Sequence, residues 1–179
     1  AKKVVATVPF VYRYHPSVRE AKSRISNLKE SLNLFHGYYL QDWLSRETTV
    51  NWRLDSAIGG PSRAFGDIGV HWCDLLEFVT GHRITHLNAQ LMKVFQQRGE
   101  KVEIDTEDGV PMIFRTDKGA QGSLVLSQVS AGRKNKLWFS FESHWRKSNC
   151  SRVCENPCFT SKDFCFYYLF GCSRGFSAT

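Results

Sequence analysis

Long apolar runs are missing from this sequence: the longest, FCFYYLFGC at 164–172, is far short of the roughly twenty residues a helix needs to cross a bilayer. A membrane span is excluded on that ground. Cysteine is nearly missing too, until the end: Cys73 stands alone in the first 143 residues, whereas Cys150, Cys154, Cys158, Cys165 and Cys172 crowd the last 36. No H-E-x-x-H occurs, and His82 and His86, four apart, straddle a helix end and a strand start, so no zinc site is expected. No G-x-G-x-x-G follows a strand, which removes the phosphate-cradling turn of a dinucleotide-binding unit. The start, AKKVVATVPFVYRYHP, has no leader-like layout; it reads as the interior of a larger protein, with a cytoplasmic location. No internal repeat is present.

What is there suffices for one compact domain. The 179 residues are 42% hydrophobic, enough for a real core. A formal net charge of +7, from 24 basic and 17 acidic residues, raises the question of a polyanionic partner. Its distribution argues against one. Residues 1–143 hold 19 basic and 15 acidic residues, interleaved as in VREAKSRISNLKE, and only GRKNK at 132–136 is compact. That cluster falls where a hairpin connection belongs, so a solvated turn is expected there and no nucleic-acid partner. Basic and aromatic residues are not interleaved on any strand in the manner of a base-stacking platform.

KVVATVPFVYRY reads as a strand from its β-branched and aromatic content, closed by Pro16. PSVREAKSRISNLKE then places Val18, Ala21, Ile25 and Leu28 at helical spacing, with Pro16 tolerated in the first turn. LNLFHGYYLQDWL returns to strand composition. SRETTVNWRLDSAIGGPSRAF is rich in turn formers and reads as a long loop, of the kind that tends to carry function. GDIGVHWCDLLEFVTGH reads as a second helix, with Gly81 at its left-handed C-terminal cap. Four strand candidates follow: RITHLNAQLMKVFQQ, EDGVPMIFRT, GAQGSLVLSQVS and NKLWFSFES, with links such as TDKGA short enough for antiparallel hairpins. Helices early and strands late predict an α+β fold, an open, mostly antiparallel sheet with helices on one face.

The second helix carries an unusual stripe. Residues four and then three apart share a helical face, so Asp67, His71, Asp74 and Phe78 line up in a segment that is otherwise largely apolar. A buried carboxylate is costly unless paired or hydrogen-bonded, and a histidine one turn away is a suitable partner. Two readings stay open. Asp67 in a first turn can serve the exposed N–H groups and the helix dipole, with His71 a satisfied core residue. Alternatively the pair does acid-base work near neutral pH.

NWRLDSAIGGPSRAFGDIGVHWCDLLEFVTG resembles the signature of the Gfo/Idh/MocA oxidoreductases, the glucose-fructose oxidoreductase and inositol dehydrogenase group, in which an Asp-x-x-x-His pair follows a glycine-rich loop. VPFVYRYHPSVREAK, GYYLQDWL and GAQGSLVLSQVSAGRKNKLWFSFE resemble three further stretches of the family in the same order, covering about residues 4–142. The resemblance implies the family's C-terminal substrate domain, with the Rossmann domain missing from this chain. It implies His71 as the acid-base residue and Asp67 as its orienting or substrate-binding partner. It also places Arg13 near substrate and nicotinamide, with Trp52 and Arg53 lining the pocket. The cofactor implied is NAD or NADP, held mainly by the missing domain. The substrate implied is a small sugar or polyol, and the sheet becomes the route to a homo-oligomer.

The sequence departs from that pattern in two places. The family's relay lysine, within a Glu-Lys-Pro motif upstream of the first strand, is absent, so the chain by itself is expected to be inactive. Beyond residue 143 the strand pattern stops, giving a division into an α+β substrate-binding and oligomerisation domain at 1–143 and an atypical Cys- and Phe-rich tail at 144–179. A changed reading frame, an alternative terminus and a metal-binding appendage are all open for the tail. Its cysteine spacings are not those of common zinc ribbons, and a poorly ordered segment is the reading adopted, with no metal. The rival to the enzyme is a non-catalytic fragment or homologue serving subunit association.

Overall fold

Period-two burial builds most of the sheet. The computed structural model describes residues 4–100, 102–132, 134–141 and 163–168. Strand β5 (Gly109–Thr116) turns Val110, Met112 and Phe114 inward and Pro111, Ile113 and Arg115 outward, while β6 (Gln121–Ser127) buries Leu124 and Leu126. Strand β1 (Leu32–Leu40) buries Phe35 and Tyr39, and β7 (Lys134–Phe141) buries Leu137 and Phe139. With β2 (Ile84–Ala89) and β8 (Asp163–Tyr168) at the edges, the six strands run in the order β2-β5-β6-β1-β7-β8. Every neighbouring pair is antiparallel except β1 with β6. Two short strands, β3 (Gln97–Arg98) and β4 (Val102–Glu103), form a separate ribbon.

One face of the sheet is covered by two helices. Helix α1 (Pro16–Ser26) presents Val18, Ala21 and Ile25, the spacing of a single helical face, and His15 caps it by accepting the Ser17 N–H at 3.3 Å. A short turn of helix, α2 (Ser56–Gly59), lies in the long loop, and α3 (Val70–Thr80) follows. α3 presents Trp72, Leu75, Leu76 and Val79 to the same core as α1 and the sheet. Trp72 is fully buried and its indole N–H donates to the Lys136 carbonyl at 3.0 Å. The indole crosses β1 at Gly37, where any Cβ would collide with the ring and with that carbonyl. Gly81 ends α3 at φ +67°, the left-handed cap read from the sequence. Among the described residues no helix is long and apolar enough to cross a membrane.

The α+β architecture matches the expectation, and four local readings differ from it. Residues 4–10 form no strand, and Val4, Val5 and Val8 are exposed: β propensity without a pairing partner leaves the backbone unladdered. Val11–Tyr14 is a turn of 3-10 helix instead. The stretch RITHLNAQLMKVFQQ is broken into β2 and β3, and GRKNK is only partly a turn, since β7 begins at Lys134 and buries Asn135. The tail reading falls largely outside the described residues, as does its cysteine cluster apart from Cys165. Residues 163–168 pair with β7 as an edge strand, which no sequence periodicity announced.

Candidate active site

The polar stripe does not begin on an α-helix. Phe65–Gly69 is a turn of π-helix, with the Val70 N–H donating to the Phe65 carbonyl, and only from Val70 does regular α geometry run. Across that wider turn Asp67 and His71 are not related by regular α spacing. Asp67 therefore finds other partners. Its Oδ2 accepts from Gln128 Nε2 at 2.8 Å, and its Oδ1 lies 3.4 Å from Arg53 Nε. The Asp67–His71 hydrogen bond that regular helical spacing suggests is not made. His71 is half-buried, with ring edges against Phe10 at 5.7 Å and Tyr12 at 5.8 Å. Its Nδ1 is buried without a hydrogen-bond partner.

Asp74, the second carboxylate, is buried and clamped by Arg13. The Arg13 Nε reaches both carboxylate oxygens at 3.0 and 2.9 Å, and Nη2 adds a third contact. The hydrogen bond to Asp74 raises the guanidinium pKa against the opposing effect of burial. Arg13 also lies over Phe10 at 5.6 Å and Phe78 at 5.2 Å. It borders a basic cavity of about 660 Å³ at the C-terminal ends of α1 and α3, with Lys22, Arg83 and Lys118. Cys73, next to Asp74, packs against the core; burial first, then Glu77 and Asp74, push its thiol up to about 12, so it is no nucleophile. His82, two turns below, donates or accepts at Thr116 Oγ1 over 2.9 Å, and burial followed by Lys118 lowers its pKa.

The five residues singled out from the sequence fall into two groups flanking the π-to-α junction. Trp52, Arg53 and Asp67 come together: the Arg53 guanidinium lies 4.5 Å over the Trp52 ring and 6.0 Å from Trp43. Arg13 stands apart with Asp74, and His71 sits in sequence between the two clamped carboxylates.

Sequence reasoning passed over what holds this junction in place. Glu107 Oε1 accepts from the Phe65 N–H at 2.9 Å and the Ser62 hydroxyl at 2.8 Å, and Oε2 from the Arg63 N–H at 3.1 Å. The carboxylate thereby satisfies donors that the helix start leaves orphaned. Beside it, Asp108 binds Arg63 and, at 2.9 Å, Arg98, and accepts from the N–H groups of Val94 and Phe95 at 2.8 and 3.1 Å. All four charged side chains are at most 2% exposed. Burial raises the Asp108 carboxyl pKa, but the Phe95 N–H, Arg63, the Val94 N–H and Arg98 together outweigh it and hold the group below its ordinary value. A buried two-plus-two charge set is tolerable only with such pairing, which here leaves Arg63 Nη1 and Arg98 Nε without a partner. The signal was an acid doublet at the mouth of an apolar strand, with Arg63 in the long loop and Arg98 in β3.

The start of the helix beside the candidate site does not fit a dinucleotide's phosphates. The N-terminal donors of the helix beside the candidate site are taken by Glu107, and a bound pyrophosphate would have to displace a buried carboxylate. Among the described residues no group of three or more His, Cys, Asp or Glu could hold a metal ion.

Residues 31–145 match the model of the GFO/IDH/MocA C-terminal domain. The levoglucosan dehydrogenase of Pseudarthrobacter phenanthrenivorans is 32% identical over 162 residues, 80% of this chain and 40% of that protein. A levoglucosan dehydrogenase structure in complex with NADH and levoglucosan superposes with a TM-score of 0.69 at 32% identity, over 80% of this chain and 39% of that one. An oxidoreductase domain protein from Kribbella flavida gives 0.68 at 29% identity, over 75% and 37%. The chain thus spans about two fifths of the length of the relatives it matches.

Proposed function

The chain belongs to the GFO/IDH/MocA family as its C-terminal domain, and on that premise we propose that it forms the substrate half of an NAD- or NADP-dependent oxidoreductase acting on a sugar or polyol hydroxyl. The observation that carries this reading is His71, half-buried with Nδ1 enclosed, at the junction between two carboxylates that other residues already hold. Neither carboxylate forms an ion pair with the ring; in this reading Nε2 takes the proton from a substrate hydroxyl. The dinucleotide, held by the nucleotide-binding half of the whole protein, supplies the hydride acceptor. Asp67, fixed by Gln128 and Arg53, accepts a neighbouring hydroxyl and orients the sugar ring. Trp52 and Arg53 line the pocket, and Arg13 braces the far side through Asp74. The chain alone is expected neither to bind NADH tightly nor to turn over substrate, because its sequence has no G-x-G-x-x-G after a strand.

In the whole protein supplied with NAD or NADP, His71→Ala lowers kcat by about 10²–10⁴-fold, the usual worth of a positioned proton-transfer group, while the thermal midpoint stays close to wild type. Turnover near the wild-type level removes His71 from the mechanism and leaves the competing reading, a non-catalytic chain for subunit association. Association has its own surface: Leu34, Val125 and Ile113 stand exposed on the uncovered face of the central strands. A homo-oligomer through that face predicts that Val125→Arg lowers the mass measured by light scattering; an unchanged mass rejects this route.

A further inference from the structure

A cavity of about 820 Å³ opens on the far side of Trp52, bordered by the long loop and the β3-β4 ribbon. Three of its lining side chains are apolar and outward-facing: Val50, Trp52 and Ile58 are 60%, 54% and 66% exposed. Trp52 connects this cavity to the candidate site through Arg53, which lies over the indole at 4.5 Å and reaches Asp67 at 3.4 Å.

The charge on the remaining walls restricts what enters. Lys93 is committed to the Ile104 carbonyl at 2.8 Å, and Arg98 to the Arg46 carbonyl and Asp108, both at 2.9 Å. Asp55, Glu103 and Asp105 face the same space, and Asp105 accepts from the Ser56 hydroxyl at 2.5 Å. Among the described lining residues, Asp55, Glu103 and Asp105 outnumber Lys93, whose charge no ion pair offsets, so the net charge is negative and disfavours phosphates and carboxylates. An aromatic and aliphatic platform rimmed by carboxylate oxygens suits a neutral ligand with a C–H face and hydroxyl donors, which is a sugar ring. The volume lies in the upper part of the roughly 300–1,000 Å³ range of small-molecule sites, more than one hexose fills.

We propose that this cavity is a second glycosyl subsite, and that the substrate class is a disaccharide or glycoside whose reacting ring lies at His71 and whose other ring packs beyond Trp52. It rests on the oxidoreductase reading of His71. Both rings belong to one bound molecule, so the distal ring adds binding energy that a free hexose lacks.

The test uses the whole protein with its dinucleotide and matched substrates: glucose against maltose and cellobiose, galactose against lactose. At least one disaccharide shows a kcat/KM tenfold or more above its hexose. Ile58→Trp, which fills the cavity from an exposed position, abolishes that advantage and leaves the hexose rate in place. Calorimetric titration of His71→Ala gives a reading independent of turnover, with the favoured disaccharide binding at least tenfold more tightly than its hexose. His71-dependent turnover of hexoses with no disaccharide advantage, in rate or in binding, overturns the subsite alone. Turnover that ignores His71 overturns the oxidoreductase reading and the subsite with it.

Discussion

Gln128 donates its side-chain Nε2 to the Asp67 carboxylate at 2.8 Å while being itself fully buried at the end of β6. Its backbone is equally committed, the N–H to the Asp108 carbonyl at 2.9 Å and the carbonyl to the Leu44 N–H at 3.1 Å. Gln128 therefore transmits the position of the sheet to a carboxylate at the edge of the candidate site.

That role orders two substitutions. Gln128→Glu keeps the shape but sets a carboxylate against Asp67, whereas Gln128→Leu removes the donor without adding charge. Losing a hydrogen bond to a charged group is worth about 1.5–3 kcal/mol, so Gln128→Leu lowers kcat/KM by about tenfold or more and Gln128→Glu lowers it further. A residue that only fills space gives the reverse order, and steady-state kinetics on the whole protein reads which holds.

Asp108 makes the fold sensitive to acid. Its carboxyl is held below the ordinary value near 3.8, so its stabilising effect is complete above that pH and is lost as the pH falls through the lowered folded value. Denaturant melts of the wild type show stability dropping across that window. Asp108→Asn strands Arg63 and Arg98 in the interior at a cost of about 3–5 kcal/mol, and it flattens the acid dependence. An equally steep acid limb in the variant assigns that limb to other groups.

Cys73 is expected to resist alkylation. With its thiol pushed up to about 12, almost none is thiolate at pH 8. Iodoacetamide treatment of the folded protein followed by peptide mass mapping leaves the Cys73 peptide unmodified, and urea exposes it to labelling. Rapid labelling in the folded state contradicts the burial described for this side chain.

Much of the fold was legible because its signals are local. Val18, Ala21 and Ile25 mark α1 by spacing, and the alternation through Val110, Met112 and Phe114 marks β5. The first expected strand failed for the opposite reason: Val4, Val5 and Val8 have strand propensity, but pairing is a property of the partner. At the candidate site, the motif names His71, Asp67, Trp52 and Arg53 as candidates, and their mutual arrangement was not legible. The π turn is hidden by an i,i+4 spacing that assumes α geometry, although Gly66 and Gly69 weaken the α preference there. Gln128 and Glu107 reach the junction from 61 and 42 residues away, a separation no window of the sequence spans.

The position of β1 has a consequence for biosynthesis. It is the earliest strand of the sheet in chain order, yet both of its neighbours, β6 and β7, come from the late part of the chain. On the ribosome, Phe35 and Tyr39 emerge long before either flanking ladder exists, and their strand edges stay open in the meantime. Nonlocal closure of this kind is slow. Nascent chains paused before β6 are thus the species a holding chaperone should meet, and completion of β7, rather than formation of either helix, commits the polypeptide to its native topology.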